Sequence, residues 1–279
     1  MTTRSFALRL LGAWQWTLSR VPGIPSLARL ARNQAGCVVA RAFRDGFDPR
    51  TNGEARLLAA LAPSSPVLVD VGANVGKYTS AFLAQAPASA HALLFEPSES
   101  AGTVLAERFG GNPRVEIVAA ACGDEEGTSP FHEEPGAGVT SSVVGGHSRP
   151  DAVARTVRIC RLDHELERRG LGSVDLLKID AEGADLAVLR GAKALLERRA
   201  IRVVQFEYNA PWRLAGASLG GAIRLLEAHD YRVFLLRRRG LVAFDYARWG
   251  EFFDYANFVG VRAADADEIV GKVREATPG

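Results

Sequence analysis

Three groups of residues in this chain have the types and spacing to do chemistry. The first is Val69-Asp70-Val71-Gly72-Ala73-Asn74-Val75-Gly76, an apolar strand running into a glycine turn. Glycine lets a backbone approach a ligand closely, and N–H groups at the start of a following helix suit a carboxylate or phosphate. Spacing excludes two nucleotide patterns. A P-loop needs four residues between its glycines and then Lys-Ser/Thr, whereas three separate Gly72 from Gly76 and Tyr78 follows Lys77; the dinucleotide pattern needs glycine where Asn74 stands. The second group is one acid, Glu96, which lies 20 residues beyond Gly76 at the end of the next apolar run. A carboxylate there can accept two hydrogen bonds from a ribose diol. The third is Asp175-Leu-Leu-Lys178-Ile-Asp180-Ala-Glu182-Gly-Ala-Asp185. Lys178 sits between apolar residues and must find a carboxylate or reach solvent. Asp180, at the strand end, is the first candidate for a general base, with Glu182 orienting it or the acceptor and Glu207 at the next strand end. His132 and His147 compete for the proton from a loop. Asp180, Glu207 and Asn209 are hard oxygen donors that could gather Mg²⁺, an alternative beside the expectation of no metal.

These residues need a scaffold that brings strand ends together. From residue 54 onward, β-rich runs alternate with helical runs, the pattern of a parallel sheet with crossover helices. Strands are expected at 67–71, 92–96, 115–121, 174–180 and 201–207, with two closing strands at 231–236 and 257–262. A helix capped by Ser98 is expected over 99–109. In a doubly wound sheet, ligands gather beyond the carboxyl ends of the strands, where Gly72, Glu96 and Asp180 all fall. The stretch 124–161 reads as an irregular excursion closed by a half-exposed strand, Thr156–Cys160, and its 124–155 portion is the candidate substrate loop.

The D-x-G-x-x-x-G turn is similar to the first motif of the class I methyltransferases. The run from Asp175 to Ala192, with Leu162-Asp163 before it and Gln205-Phe206-Glu207-Tyr208 after it, resembles the FkbM family of S-adenosylmethionine-dependent methyltransferases. The resemblance covers roughly residues 65–262. It implies an α/β, Rossmann-like doubly wound sheet of order 3-2-1-4-5-7-6, with S-adenosyl-L-methionine as cofactor. It also implies O-methylation of a hydroxyl on a sugar, glycan or natural-product scaffold. The donor-binding residues expected on this basis are Asp70, Gly72, Asn74, Gly76, Tyr78, Glu96, Pro97, Ala121 and Asp180, and the catalytic ones Asp180, Glu182 and Glu207. A non-catalytic S-adenosylmethionine-binding module would not need the acids at 180 and 182. A methyltransferase of RNA would carry a basic face with interleaved aromatics, and only Arg237-Arg238-Arg239 clusters in the main domain. A protein substrate is the remaining alternative.

Composition agrees with a globular enzyme: of 279 residues, 47% are hydrophobic and 24% charged. The three cysteines, Cys37, Cys122 and Cys160, lack any CxxC spacing, so neither a disulfide framework nor a zinc knuckle is expected, and the cytoplasm is the expected compartment. The net charge of +2 hides an asymmetry. Residues 1–44 hold seven arginines and no acid, which leaves the remainder at −5. Nucleic acid is therefore not an expected partner of the main domain. Residues 1–53 read as an N-terminal helical extension and 54–279 as the methyltransferase domain. Phe6, Leu10, Trp14 and Leu18 stack on one helical face. Arg9, Gln15 and the tryptophans interrupt any signal-peptide core. The expectation is a helix that packs this face on its own domain or on a homodimer partner, without stable membrane insertion.

Overall fold

The strand Val67–Val71 (β1) lies inside the main sheet and pairs in parallel with a strand on each side. The computed structural model describes residues 3–43, 45–136, 141–146 and 149–277, with side chains from residue 11 onward. His147 lies outside the described residues. The remaining strands are His91–Phe95 (β2), Val115–Val118 (β3), Ala121–Cys122 (β4), Gly127–Glu133 (β5), Val153–Cys160 (β6), Val174–Ile179 (β7), Ile201–Tyr208 (β8), Tyr231–Arg237 (β9), Gly240–Ala243 (β10) and Ala256–Arg262 (β11). The main sheet runs β3-β2-β1-β7-β8-β11-β9-β10. Counted in the order of its own strands, this is 3-2-1-4-5-7-6 with β10 added as an edge hairpin. β11 is antiparallel to both of its neighbours, β8 and β9, and β9 is antiparallel to β10 as well.

Side chains alternate across the sheet, so each strand feeds two cores. On one face Leu68, Leu94, Leu176, Val203 and Val259 meet Leu57, Leu58 and Leu61 of the helix Glu54–Leu61 and Ile269 and Val273 of the helix Ala266–Glu275. On the other face Val69, Val71, Leu177, Ile179, Val204 and Phe206 are buried. The helix Glu99–Phe109 begins as expected, with Ser98 Oγ accepting the Ala101 N–H at 3.1 Å.

The stretch 124–161 is more regular than its sequence suggests. β5 and β6 form an antiparallel ribbon, and β4 joins β6 in parallel, making a second, three-stranded sheet. The expected strand 115–121 is therefore two short strands in different sheets. β5 escapes a sequence reading because Thr128, Ser129, Pro130 and His132 give it no apolar alternation, and an edge strand tolerates Pro130. Cys122 and Cys160, 38 residues apart, face each other here as free buried thiols with Sγ atoms 3.8 Å apart.

Two compact units divide the chain at residues 43 and 44 rather than at 53. Residues 45–53 belong to the larger unit, where Asp45 holds Arg237 through a two-pronged ion pair and Asp48 caps the helix Pro49–Asn52. The smaller unit consists of two helices, Thr3–Ser19 and Ile24–Phe43. Within it Trp14 and Trp16 stand 61% and 58% exposed, and Leu18 is half-buried.

Gly72 marks the place where the fold closes around its site. Its φ is +76°, and a Cβ there would lie 1.9 Å from the Asp180 carbonyl oxygen at the end of β7. Gly72→Ala therefore combines left-handed strain with a backbone clash, and is expected to destabilise the protein by about 3 kcal/mol or more, read as a lowered midpoint in thermal or urea unfolding.

Candidate active site

A cavity of about 1330 Å³ opens beyond the carboxyl ends of β1, β2, β7 and β8. Gly72, Asn74, Tyr78, Glu96, Pro97, Ala121, Asp180, Glu182 and Glu207 all line it. Two of the expected residues do not. Asp70 is fully buried beneath the cavity, where its Oδ2 accepts from Thr79 Oγ1 at 2.7 Å and its Oδ1 lies 3.8 Å from Lys178 Nζ. Gly76 precedes the helix Lys77–Leu83 with φ +73°, and a Cβ there would strike Phe109 and Leu105, so its role is to let two helices approach. His132 also lies off the cavity, its backbone paired with that of Ser142.

The glycine turn does not offer the anion cradle its sequence suggested. The N–H groups of Gly72 and Ala73 donate to the Phe95 carbonyl, that of Val75 to Asn74 Oδ1, and that of Gly76 to the Ala73 carbonyl. The Asn74 N–H donates to Glu96 Oε2 at 2.7 Å, and the Ser98 N–H to Glu96 Oε1 at 2.8 Å. The turn thus spends its donors on β2, on itself and, through Asn74, on Glu96. Burial pushes the Glu96 carboxyl up to about 7, against the pull of the two N–H bonds. Each oxygen retains lone-pair capacity for a hydroxyl donor on the cavity side.

The acids beyond β7 and β8 gather as expected. Asp180 Oδ2 lies 2.9 Å from Lys178 Nζ. Burial works against a charged Lys178, but Asp180, Asp70 and Glu54 together hold its ammonium well above the usual lysine range. Asn209 Nδ2 bridges the other two, donating to Glu182 Oε2 at 3.1 Å and to Glu207 Oε1 at 2.8 Å. Burial, then the charges of Asp180 and Asp185, push Glu182 up to about 8. Burial and the same carboxylates, with Glu182 added, push Glu207 well up. Glu182 also sits in the left-handed region at φ +47°, a conformation that a non-glycine residue holds only when its surroundings impose it. One constraint is Ser142, between β5 and β6, whose Oγ donates to the Glu182 carbonyl at 2.8 Å. Asp180, Glu182 and Glu207 each offer an oxygen within 4.8 Å of the others, a spacing that a divalent cation or shared protons could bridge.

Sequence reasoning missed a further set of polar residues. Glu54 lines the cavity and accepts from Gln205 Nε2 at 2.6 Å and Asn52 Nδ2 at 3.0 Å. Gln205 Oε1 accepts from the Tyr78 hydroxyl at 2.8 Å, and Asn52 also donates to the Tyr255 hydroxyl. Apart from Asn52 and Glu54, the partners lie 127 to 203 residues apart, beyond the reach of local pattern. The single clue was Gln205 inside the apolar run Val203-Val204-Gln205-Phe206, a polar group that a buried strand must satisfy.

The family model for the methyltransferase FkbM domain matches residues 70–233, more than half of the chain. The chain is similar to 2-O-methyltransferase NoeI of Sinorhizobium fredii, 27% identical over 185 residues that cover 61% of this chain and 75% of that protein. It is also similar to methyltransferase sdnD of Sordaria araneosa, 30% identical over 46% of this chain and 61% of that protein. Among solved structures, methyltransferase FkbM from Methylobacillus flagellatus aligns at a TM-score of 0.43 and 15% identity, covering 70% of this chain and 43% of that one.

Among the described residues Lys178 is the one cation beside these acids, so removing it has a definite cost. Lys178→Met leaves Asp70 buried and uncompensated and should destabilise the protein by about 3–5 kcal/mol. Adding Asp70→Asn to that variant should recover part of the loss in chemical denaturation. A double variant no more stable than Lys178→Met would mean that the ammonium does not neutralise Asp70.

Proposed function

The chain belongs to the FkbM methyltransferase family, and from that premise we propose that it methylates a hydroxyl of a sugar, glycan or natural-product scaffold, with the acids beyond β7 and β8 taking the hydroxyl proton. The observation that carries this reading is the cluster of Asp180, Glu182 and Glu207, each half-buried and each offering an oxygen within 4.8 Å of the others, on the wall of the same cavity that Glu96 lines. The donor set fits S-adenosylmethionine. Glu96 can accept from a ribose diol, the small residues Ala120 and Ala121 with Cys122 give an apolar wall for a base, and Gly72 keeps the turn close to β7. When bound, S-adenosylmethionine supplies a methyl group already activated on a sulfonium.

The protein must then hold the acceptor oxygen aligned and remove its proton. An aliphatic hydroxyl is a poor nucleophile until deprotonated, and a base within hydrogen-bond reach contributes about 10²–10⁴ in rate. Asp180 and Glu182 divide this work. Lys178 already engages Asp180 Oδ2, so Asp180 serves to orient the acceptor through its other oxygen. Glu182, whose basicity lies close to the working pH, accepts the proton. Glu207 and Asn209 fix its direction through the bridging amide. A polyol suits this wall, because several carboxylates can each accept one hydroxyl hydrogen. The hydroxyl named in NoeI, a 2-O position, is of the same chemical kind.

Two measurements test the reading. If Glu96 holds the ribose, Glu96→Ala weakens S-adenosylhomocysteine binding by about 10–100-fold in calorimetric titration without unfolding the domain; unchanged affinity in a folded variant removes Glu96 from the donor site. If Glu182 is the proton acceptor, only its anion is active, so kcat/KM rises with pH through about 8 and levels off above it. Glu182→Gln loses that limb and about 10²–10³ in kcat with little change in donor affinity. The rate is expected to persist in excess EDTA. A flat profile between about pH 6 and about pH 9 would take the proton away from Glu182, and EDTA inhibition reversed by Mg²⁺ would turn the three acids into metal ligands.

A further inference from the structure

The two N-terminal helices form a unit of their own, and their composition is unlike the rest of the chain. Arg4, Arg9, Arg20, Arg29, Arg32 and Arg41 lie on or beside them, with no acid anywhere in residues 1–44. On the same helices Leu11, Trp14, Trp16, Leu27, Leu30 and Val38 are each more than half exposed, and Val21 in the connecting turn is 45% exposed. Water is a poor environment for both features. Exposed Leu and Trp side chains forgo the gain of burial. A surface of arginines with no acids also lacks the i,i+4 ion pairs by which solvated helices offset like-charge repulsion.

One partner removes both costs. The headgroups of an anionic bilayer neutralise guanidinium groups, while the boundary just below them accepts Leu, Val and indole side chains. Tryptophan suits that depth because its ring is apolar and its N–H still meets water or headgroup oxygens. Arg20 stacks its guanidinium 3.6 Å from the centre of the Trp16 ring, so a charge and an indole are presented together. Among the described residues no helix is long and apolar enough to cross a membrane, so the mode of contact is to lie in the interface. Arginine with tryptophan would also suit RNA, but the aliphatic side chains Leu11, Leu27, Leu30 and Val38 offer no face on which a base can stack.

We propose that residues 3–43 form a peripheral docking unit for an anionic membrane surface, independent of which acceptor the cavity takes. The full chain is mixed with vesicles of phosphatidylcholine alone or with about 30% phosphatidylglycerol, at about 150 mM salt, and floated on a density gradient. It should float with the anionic vesicles and stay behind with the neutral ones. The pair Trp14→Ser/Trp16→Ser and, separately, the pair Arg29→Glu/Arg32→Glu should each lower the bound fraction about tenfold or more, while S-adenosylhomocysteine affinity, as a control for folding, stays at the wild-type value. Absence of flotation with anionic vesicles overturns the proposal, as does equal flotation with both lipids or flotation retained by both variants. So does sedimentation showing a dimer that Trp14→Ser/Trp16→Ser dissociates in a chain that never binds vesicles, or binding of an RNA oligonucleotide in place of vesicles.

Discussion

A lysine in the middle of a parallel sheet sets the terms for the rest of this protein. Lys178 on β7 stands opposite Asp70 on β1 and opposite Gln205 on β8. Two residues earlier on the same three strands and the same face, Leu68, Leu176 and Val203 form a row of the hydrophobic core. The sheet thus changes from apolar to polar within one repeat of its pleat, and that line is the floor of the cavity. A buried ammonium is tolerated only with carboxylates close by, which accounts for Asp70 below it, Asp180 at 2.9 Å and Glu54 on the overlying helix. Gln205 then needs partners of its own and draws in Glu54, Tyr78 and Asn257. Segments far apart in sequence are positioned by the satisfaction of one charge.

The parts of this arrangement that could be read in the sequence are those with local causes. β1, β2, β7 and β8 announce themselves as short apolar runs because both faces of a central strand are buried, and the acids at their ends stand out against that background. Glu96, Asp180, Glu182 and Glu207 are legible for that reason, and they do line one cavity. Asp70 carries the same signal, since an acid one residue before the glycine turn looks like a ligand contact. Only the register against β7 reveals that it faces Lys178 instead. The small sheet was hidden because edge strands exposed on one side, such as β5, are built from Thr, Ser, Pro and His. Glu54 and Asn52 were hidden because a polar residue near a helix start has an ordinary explanation as a cap, and their partners lie in β8 and in the turn before β11.

The glycine turn illustrates how the same residues can serve a different physical end. Positive φ at Gly72, Asn74 and Gly76 folds the turn tightly enough for its N–H groups to be used internally. Two consequences follow. The turn has no set of free donors for a phosphate, in keeping with a site for a nucleoside that bears a sulfonium rather than a pyrophosphate. It also delivers the Asn74 N–H to Glu96, which together with the N–H of Ser98, the cap of the helix after β2, aims the carboxylate across the end of β2.

The carboxylates are the remaining tension. Asp180, Glu182, Asp185 and Glu207 crowd the ends of two adjacent strands, and among the described residues Lys178 is the one ammonium within reach of them. Burial and mutual repulsion raise Asp185 to about 7 and Glu182 to about 8, so the folded protein holds protons there that the unfolded chain releases near the ordinary carboxylate range. Stability from these groups is therefore fully present below that ordinary range and is lost as pH rises through about 7 to about 8. A cluster of this kind is a poor way to build a core, where apolar residues of the same volume would serve better. It is a good way to build a proton acceptor, because the repulsion that costs stability is the same repulsion that brings a carboxylate's basicity close to neutral pH. The left-handed backbone at Glu182 is fastened by Ser142, whose Oγ donates to the Glu182 carbonyl, so the segment between β5 and β6 and the carboxylate wall hold one another in place.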